Sequence, residues 1–322
     1  MKRAFPALGS QTLGTPALSG ALLVVVYTGF IASADGITKL LAGGYAPAQL
    51  YALSGAVVAG LCTLACLVAR DRSAPARAAI TAGLRTRCIR AMGVRSGATV
   101  LAALCFFYAF RLLPFAEVFI FIGLMPLLAG LMSAPILGER VRPVAWGALA
   151  VGSVGVICVF PGGISALSGG HGVALAASVL GTLSITLSRY IGRYEQNVLA
   201  QVFYPNLALC LTMLPVLPFV WQPMPFADVA WALIYAGMLF GARWLLVAAL
   251  RLLPAFAVTP LMNLQFVWMV VIGGLAFGEA VRPDTWAGAA AIMISGLYLV
   301  WDQMGVGRSS LVARLRLPQT DP

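Results

Sequence analysis

The chain repeats itself at a fixed interval. Arg111-Leu112-Leu113-Pro114, Gly138-Glu139, Arg142-Pro143 and Trp146 return as Arg251-Leu252-Leu253-Pro254, Gly278-Glu279, Arg282-Pro283 and Trp286, each 140 residues later. Between the Leu-Leu-Pro and Gly-Glu markers of each copy runs an apolar stretch of roughly 22 residues, long enough to cross a bilayer. A gapless repeat built around such stretches implies a duplicated membrane unit.

Composition agrees. With 61% hydrophobic and 10% charged residues, a soluble chain of 322 residues could not cover its surface. The mean hydropathy of +0.94 and the 34 glycines fit close-packed transmembrane helices. Apolar runs predict an all-α integral membrane protein of ten spans, at 17–37, 47–69, 96–112, 115–136, 143–160, 172–190, 197–219, 229–250, 255–277 and 283–301. The polar segment 69–96 reads as a loop. The spans divide into a first repeat, 17–160, and a second, 172–301, joined by a linker at 161–171 and flanked by tails at 1–16 and 302–322. The first span is too long for a cleaved signal, and it carries Asp35 and Lys39 where small residues would mark a cleavage site.

Positive charge sets the expected orientation. With the N-terminus inside, 17 of the 21 Lys and Arg residues fall on the cytoplasmic side, including seven arginines from Arg70 to Arg95. Only Lys39, Arg111 and Arg282 fall outside, and Arg243 lies within a span. Both termini are therefore expected in the cytoplasm. The net charge of +11 faces an anionic inner leaflet and calls for no nucleic acid. Five spans per half is an odd number, so the second repeat is expected to enter the membrane inverted. Gly138-Glu139 then faces in and Gly278-Glu279 faces out, as two related gates around a midplane site.

Two five-helix halves, each ending in Leu137-Gly138-Glu139-Arg140-Val141-Arg142-Pro143 or Phe277-Gly278-Glu279-Ala280-Val281-Arg282-Pro283, resemble the EamA type of the drug/metabolite transporter superfamily. Ser33-Ala34-Asp35-Gly36-Ile37-Thr38-Lys39-Leu40 and Leu113-Pro114-Phe115-Ala116-Glu117 are similar to a branch that includes S-adenosylmethionine and other metabolite carriers. The resemblance spans nearly the whole chain and implies ten helices, secondary transport and a cavity lined by the first, fourth and eighth helices. Family members often carry an arginine early in the second helix. Here Pro47-Ala48-Gln49-Leu50 leads to Leu53-Ser54 without one.

The repeat also sorts the polar residues. Groups present in both halves, namely Gly138, Glu139, Arg142 and Pro143 with Gly278, Glu279, Arg282 and Pro283, read as turn and gate chemistry, each Glu receiving arginine or helix N-terminal amide donors. Lys39 has a counterpart in Arg189 at a separate interval of 150 and reads as a helix-end anchor.

Three ionisable residues break the repeat. Asp35 aligns with Ile185, Glu117 with Ala257 and Arg243 with Ala103. An Asp or Arg at the centre of a membrane helix costs roughly 2.5–3.5 kcal/mol on insertion scales, so such groups face a cavity or a partner. Arg243 suits a substrate carboxylate or phosphate. Glu117 suits a substrate ammonium or the coupled proton, or else a bridge to Arg111. Asp35 either belongs to the same site or pairs with Lys39 one turn away. Tyr27, Tyr108, Tyr204, Asn263, Gln265 and Trp268 complete the candidate substrate set, and a break at Pro205 would free carbonyls for polar cargo.

The six cysteines scatter as packing residues, and no metal-ligand cluster, P-loop or hydrolytic set appears. No cofactor, metal or catalytic residue is expected. The expected function is transport of a small polar metabolite: an amino acid, an S-adenosylmethionine-like molecule or a metallophore. The alternatives are a flavin or cationic drug, or a non-transporting membrane sensor or assembly protein; an integral membrane enzyme comes third, since no complete catalytic set accompanies Glu117 and Asp35. Expected partners are the substrate, the lipid bilayer, coupled protons and, as an open alternative, a second copy of the chain.

Overall fold

In a computed structural model the chain is described over residues 15–70, 83–138, 168–195, 197–252 and 264–279, with residues 262, 283, 290 and 294. Among these residues there is helix and no strand. The helices are α1 (Thr15–Ala42), α2 (Pro47–Arg70), α3 (Ile89–Leu112), α4 (Phe115–Gly123), α5 (Met125–Leu137), α6 (Gly169–Gly192), α7 (Val198–Met213), α8 (Leu217–Val220), α9 (Phe226–Leu252) and α10 (Gln265–Phe277). Among the described residues four segments are long and apolar enough to cross a membrane: Ser19–Ala42 of α1, Pro47–Leu67 of α2, and all of α3 and α6. The expected span 143–160 and most of 283–301 lie outside the described residues.

Three boundaries differ from the sequence expectation, each for a local reason. The span 115–136 is two helices, because Pro126 has no N–H for the carbonyl of Ile122 and the chain tightens at Leu124, whose N–H bonds Phe121 O at 3.2 Å. Helix α3 starts at Ile89 and not at 96, which moves Arg90 and Arg95 from the loop into a helix. The seventh span is α7 plus the single turn of α8. Within α7 the helix continues through Pro205 without a break.

The helix ends carry the repeat. α5 and α10 stop at Leu137 and Phe277, 140 residues apart. α1 and α6 stop at Ala42 and Gly192, 150 apart. Gly138 and Gly278 follow α5 and α10 with φ of 68° and 65°, a left-handed conformation that a residue with a Cβ rarely takes. The two glycines stand at opposite ends of the bundle: Leu137 O accepts from Arg193 at the C-terminal end of α6, while Glu279 lies against Leu113 and Phe115, beside the start of α6.

Packing follows the same relation. The most extensive contacts are α3 on α6, α1 on α9 and α2 on α7, so each half lends its third helix to the other half's first, and the two second helices meet. Where α2 crosses α7, Gly55 permits the approach, since a Cβ there would sit 2.6 Å from the carbonyl oxygen of Asn206. The core holds Phe107, Phe115, Val118, Ile120, Phe266 and Met269, all buried. Large apolar side chains such as Leu22, Leu64, Leu101, Leu211 and Leu275 stand outward, as a lipid-facing surface requires.

Candidate functional site

At one end of the bundle a carboxylate joins three helices. The left-handed turn at Gly278 directs Glu279 back across α10, where Gly273 leaves room for it; a Cβ at Gly273 would lie 3.3 Å from Oε2. Glu279 Oε1 pairs with Lys39 Nζ of α1 at 2.6 Å, and Oε2 accepts the N–H of Phe115 at 2.8 Å. That N–H opens α4 and has no partner within its own helix, so a carboxylate there satisfies both the donor and the helix dipole. Lys39 also donates to Leu113 O at 2.9 Å, and its ammonium lies 6.0 and 5.4 Å from the rings of Phe115 and Phe277. Outside this latch lies a recess of about 310 Å³ lined by Lys39, Leu40, Gly43, Phe110, Arg111 and Phe277.

Glu117, two residues further along in the first turn of α4, meets His171 of α6, with Oε2 3.3 Å from Nε2. The backbone N–H of Ser168 donates to His171 Nδ1 at 2.9 Å, so the neutral ring carries its proton on Nε2 and presents it to Glu117. The expected alternatives for Glu117 were cargo, a proton or Arg111. The structure gives it His171.

Deeper in the bundle is a second group. Asp35 Oδ2 accepts from Gln265 Nε2 at 2.9 Å, a bond between the first helix of one half and a helix of the other. Asp35 lies seven residues before the end of α1, about 10 Å below it at 1.5 Å per residue. Tyr51 of α2, which donates to Ala103 O at 2.9 Å, and Tyr235 of α9 are buried in one cluster with Ala34, the residue before Asp35. Among the described residues no cation pairs with Asp35. The expected alternative of an Asp35–Lys39 pair does not form, because Lys39 is held by Glu279. Two close approaches fix α1 on α10: Gly29 against Trp268, 3.5 Å from an added Cβ, and Gly36 against Ile272, 3.1 Å. A carboxylate held in this way can take a proton or an ammonium.

Of the other candidates, Tyr108, Tyr204 and Trp268 stand elsewhere on the bundle. Tyr108 is exposed on α3 beside Phe107, and Trp268 is partly exposed over Gly29. Tyr27 is half-buried. Tyr204 lines an apolar groove of about 520 Å³ between α3 and α7. The side chain of Arg243, together with Asn263, Glu139, Arg142, Pro143 and Arg282, lies outside the described residues, and Pro283 is exposed.

At the opposite end stands a residue the sequence reading left among the loop arginines. Arg95 is 5% exposed, and its Nη1 donates to Gln201 O at 2.5 Å. That carbonyl is the one Pro205, lacking an N–H, leaves without its helical partner. The carbonyl expected to serve cargo is therefore held by Arg95. Ser188 bonds the Gln201 side chain, and Ser184 bonds Thr99 at 2.7 Å. Nearby, Glu195 receives Thr86 Oγ1 and Arg87 N, both at 2.6 Å, and Asn197 donates to Arg85 O at 3.0 Å. Nothing but depth along the helix separates Arg95 from the other arginines of the segment, which is why composition alone missed it.

Residues 18–160 and 168–301 each match the model of the EamA-like transporter family. The chain belongs to the EamA-like transporter family. It is a multi-pass membrane protein of the drug/metabolite transporter type, built from two family repeats. One solved crystal structure aligns with 94% of this EamA-like chain and 99% of its own, with a TM-score of 0.57 and 19% identity; at that identity the likeness speaks for the fold alone. No curated protein matches the chain.

Proposed function

We propose that this EamA-like protein is a secondary transporter that moves a small polar organic metabolite across the plasma membrane by alternating access. Ten spans in two inverted halves, both termini cytoplasmic, place the Lys39–Glu279 latch on the outer side and Arg95 toward the cytoplasm. The observation that carries the reading is the bond from Asp35 to Gln265. It puts a carboxylate without a described counter-cation at the junction of the two halves, where cargo that moves between them has to pass. An ammonium displaces the Gln265 contact and occupies Asp35; a proton does the same in the return step. The latch seals the outer end while the cargo faces in.

The cargo class that suits these groups is an amino acid or an amino-acid-derived zwitterion, S-adenosylmethionine-like or metallophore-like. A cationic drug is the second reading, favoured by the same carboxylate, which has no counter-cation among the described residues. Counterflow into proteoliposomes loaded with each of the twenty amino acids, S-adenosylmethionine or an organic cation tests the proposal. The expected result is uptake with at least one of them by the wild type and none by Asp35→Asn, with both proteins inserted equally. Uptake by Asp35→Asn at the wild-type rate would remove Asp35 from the path.

A further inference from the structure

The recess beside the latch is walled by two cations and no described carboxylate. Lys39, Leu40 and Gly43 come to it from the end of α1, Phe110 and Arg111 from the end of α3, and Phe277 from the end of α10. Glu279 and Leu113, which hold Lys39, do not line it. An ammonium has three N–H donors. Glu279 Oε1 and Leu113 O take two of those on Lys39, and among the described residues nothing takes the third. Arg111 is exposed and makes no hydrogen bond or ion pair with any described residue. A helix C-terminus favours a cation, which accounts for where the two charges stand and leaves their open donors to be filled.

Depth and walls narrow the ligand. Arg111 and Lys39 lie one and three residues before the last residues of α3 and α1, at the level where helices leave the hydrocarbon. Leu40 and Leu112 beside them are exposed, as lipid-facing side chains are. Leu40, Phe110 and Phe277 make the rest of the wall apolar. An anion joined to an apolar body fits such a place. A guanidinium takes a phosphate through two parallel N–H donors, and an ammonium takes it as a point charge. A volume of about 310 Å³ suits a headgroup and leaves the chains in the bilayer. The repeat then separates lipid from cargo. Lys39 recurs as Arg189 in the last turn of α6, and Arg111 recurs as Arg251. An asymmetric cargo calls for one such pair, whereas phospholipid headgroups meet the protein at both membrane faces.

We infer that the recess binds an anionic phospholipid, with the phosphate between Lys39 and Arg111 and the glycerol and upper chains against Leu40, Phe110 and Phe277. Because α1 and α3 belong to one repeat and α10 to the other, a lipid seated there touches both halves beside the latch. The inference does not rest on the transport reading.

Photolabelling tests it at the site itself, apart from the many cations elsewhere on the chain. The whole protein is placed in phosphatidylcholine vesicles with a trace of phosphatidylglycerol that carries a diazirine close to its glycerol. A phosphatidylcholine with the same diazirine serves as the reference. The expected result is at least fivefold more label from the glycerol lipid on segments 40–43 and 110–112. Arg111→Gln should bring that ratio close to one, and Arg111→Lys, which keeps the charge, should retain at least half of it. Arg111 is exposed and bonds nothing described, so neither variant disturbs the fold. Excess unlabelled phosphatidylglycerol should displace the label, and the same excess of glycerol 3-phosphate should not. Equal labelling by the two lipids, or a preference unmoved by Arg111→Gln, overturns the site. Displacement by glycerol 3-phosphate as complete as by the lipid overturns the lipid and makes the ligand a free phosphate.

Discussion

Glu279 is defined by what surrounds it: a left-handed glycine before it, an orphan helix N–H in front and one lysine from 240 residues earlier in the chain. Both partners of the ion pair are largely shielded, at 12% and 23% exposure, so it is worth more than a surface pair and less than a fully dry one. Glu279→Gln, which still accepts from Phe115, is expected to cost about 1–3 kcal/mol in detergent melting. Lys39→Met is expected to cost a similar amount and the double variant less than the sum; strict additivity would deny the pair. Tyr45 offers a check in alkali. It bonds Asp228 at the start of α9, and that hydrogen bond, with partial burial and the carboxylate charge, holds the phenol above its ordinary value of 10.0. The folded state thus keeps its proton to higher pH than the unfolded chain does. The contribution is fully present below pH 10.0 and is lost as pH rises through the raised value. Tyr45→Phe should remove that step from stability against pH, and an unchanged alkaline limb would contradict the contact.

Among the elements, α2 and α7 cross at the closest approach. Gly55→Ala puts a methyl 2.6 Å from a backbone oxygen that has no rotamer to yield, so helices must part; Gly60, on the same helix, faces open space. Gly55→Ala is expected to lower the melting temperature sharply and Gly60→Ala to leave it within a degree or two. Equal effects would place the crossing elsewhere. The sequence carried much of this level. Helix ends recur at the intervals of the repeat because the markers that end them, Gly138 and Gly278 above all, recur too. The split of α4 from α5 and the capping of Gln201 by Arg95 were not legible, because each depends on which group faces a proline's missing N–H. The site was legible in part. Asp35 and Gln265 were singled out as intramembrane polar residues, but their bond joins residues 230 apart, and no local spacing announces it. Lys39 was read as an anchor because Arg189 matches it at the 150-residue interval; its bond to Glu279 was not legible, since that partner lies in the other half of the chain.

For the whole molecule the account requires that the two ends open in turn. The latch at Lys39 and Glu279 ties α1, α4 and α10, which belong to both halves, and on the proposed reading it closes that end to cargo while it holds. Lys39 and Glu279 can be replaced together by cysteines, in a background where Cys62, Cys66, Cys88, Cys105, Cys158 and Cys210 are serine or alanine, and joined by a short bis-methanethiosulfonate that fills the room left by the two long side chains and is released by reductant. Counterflow of the cargo found by the liposome panel is then measured before and after reduction. The account predicts that the cross-linked protein moves nothing and that reductant restores flux in the same vesicles. Full flux through protein shown to be cross-linked would contradict it.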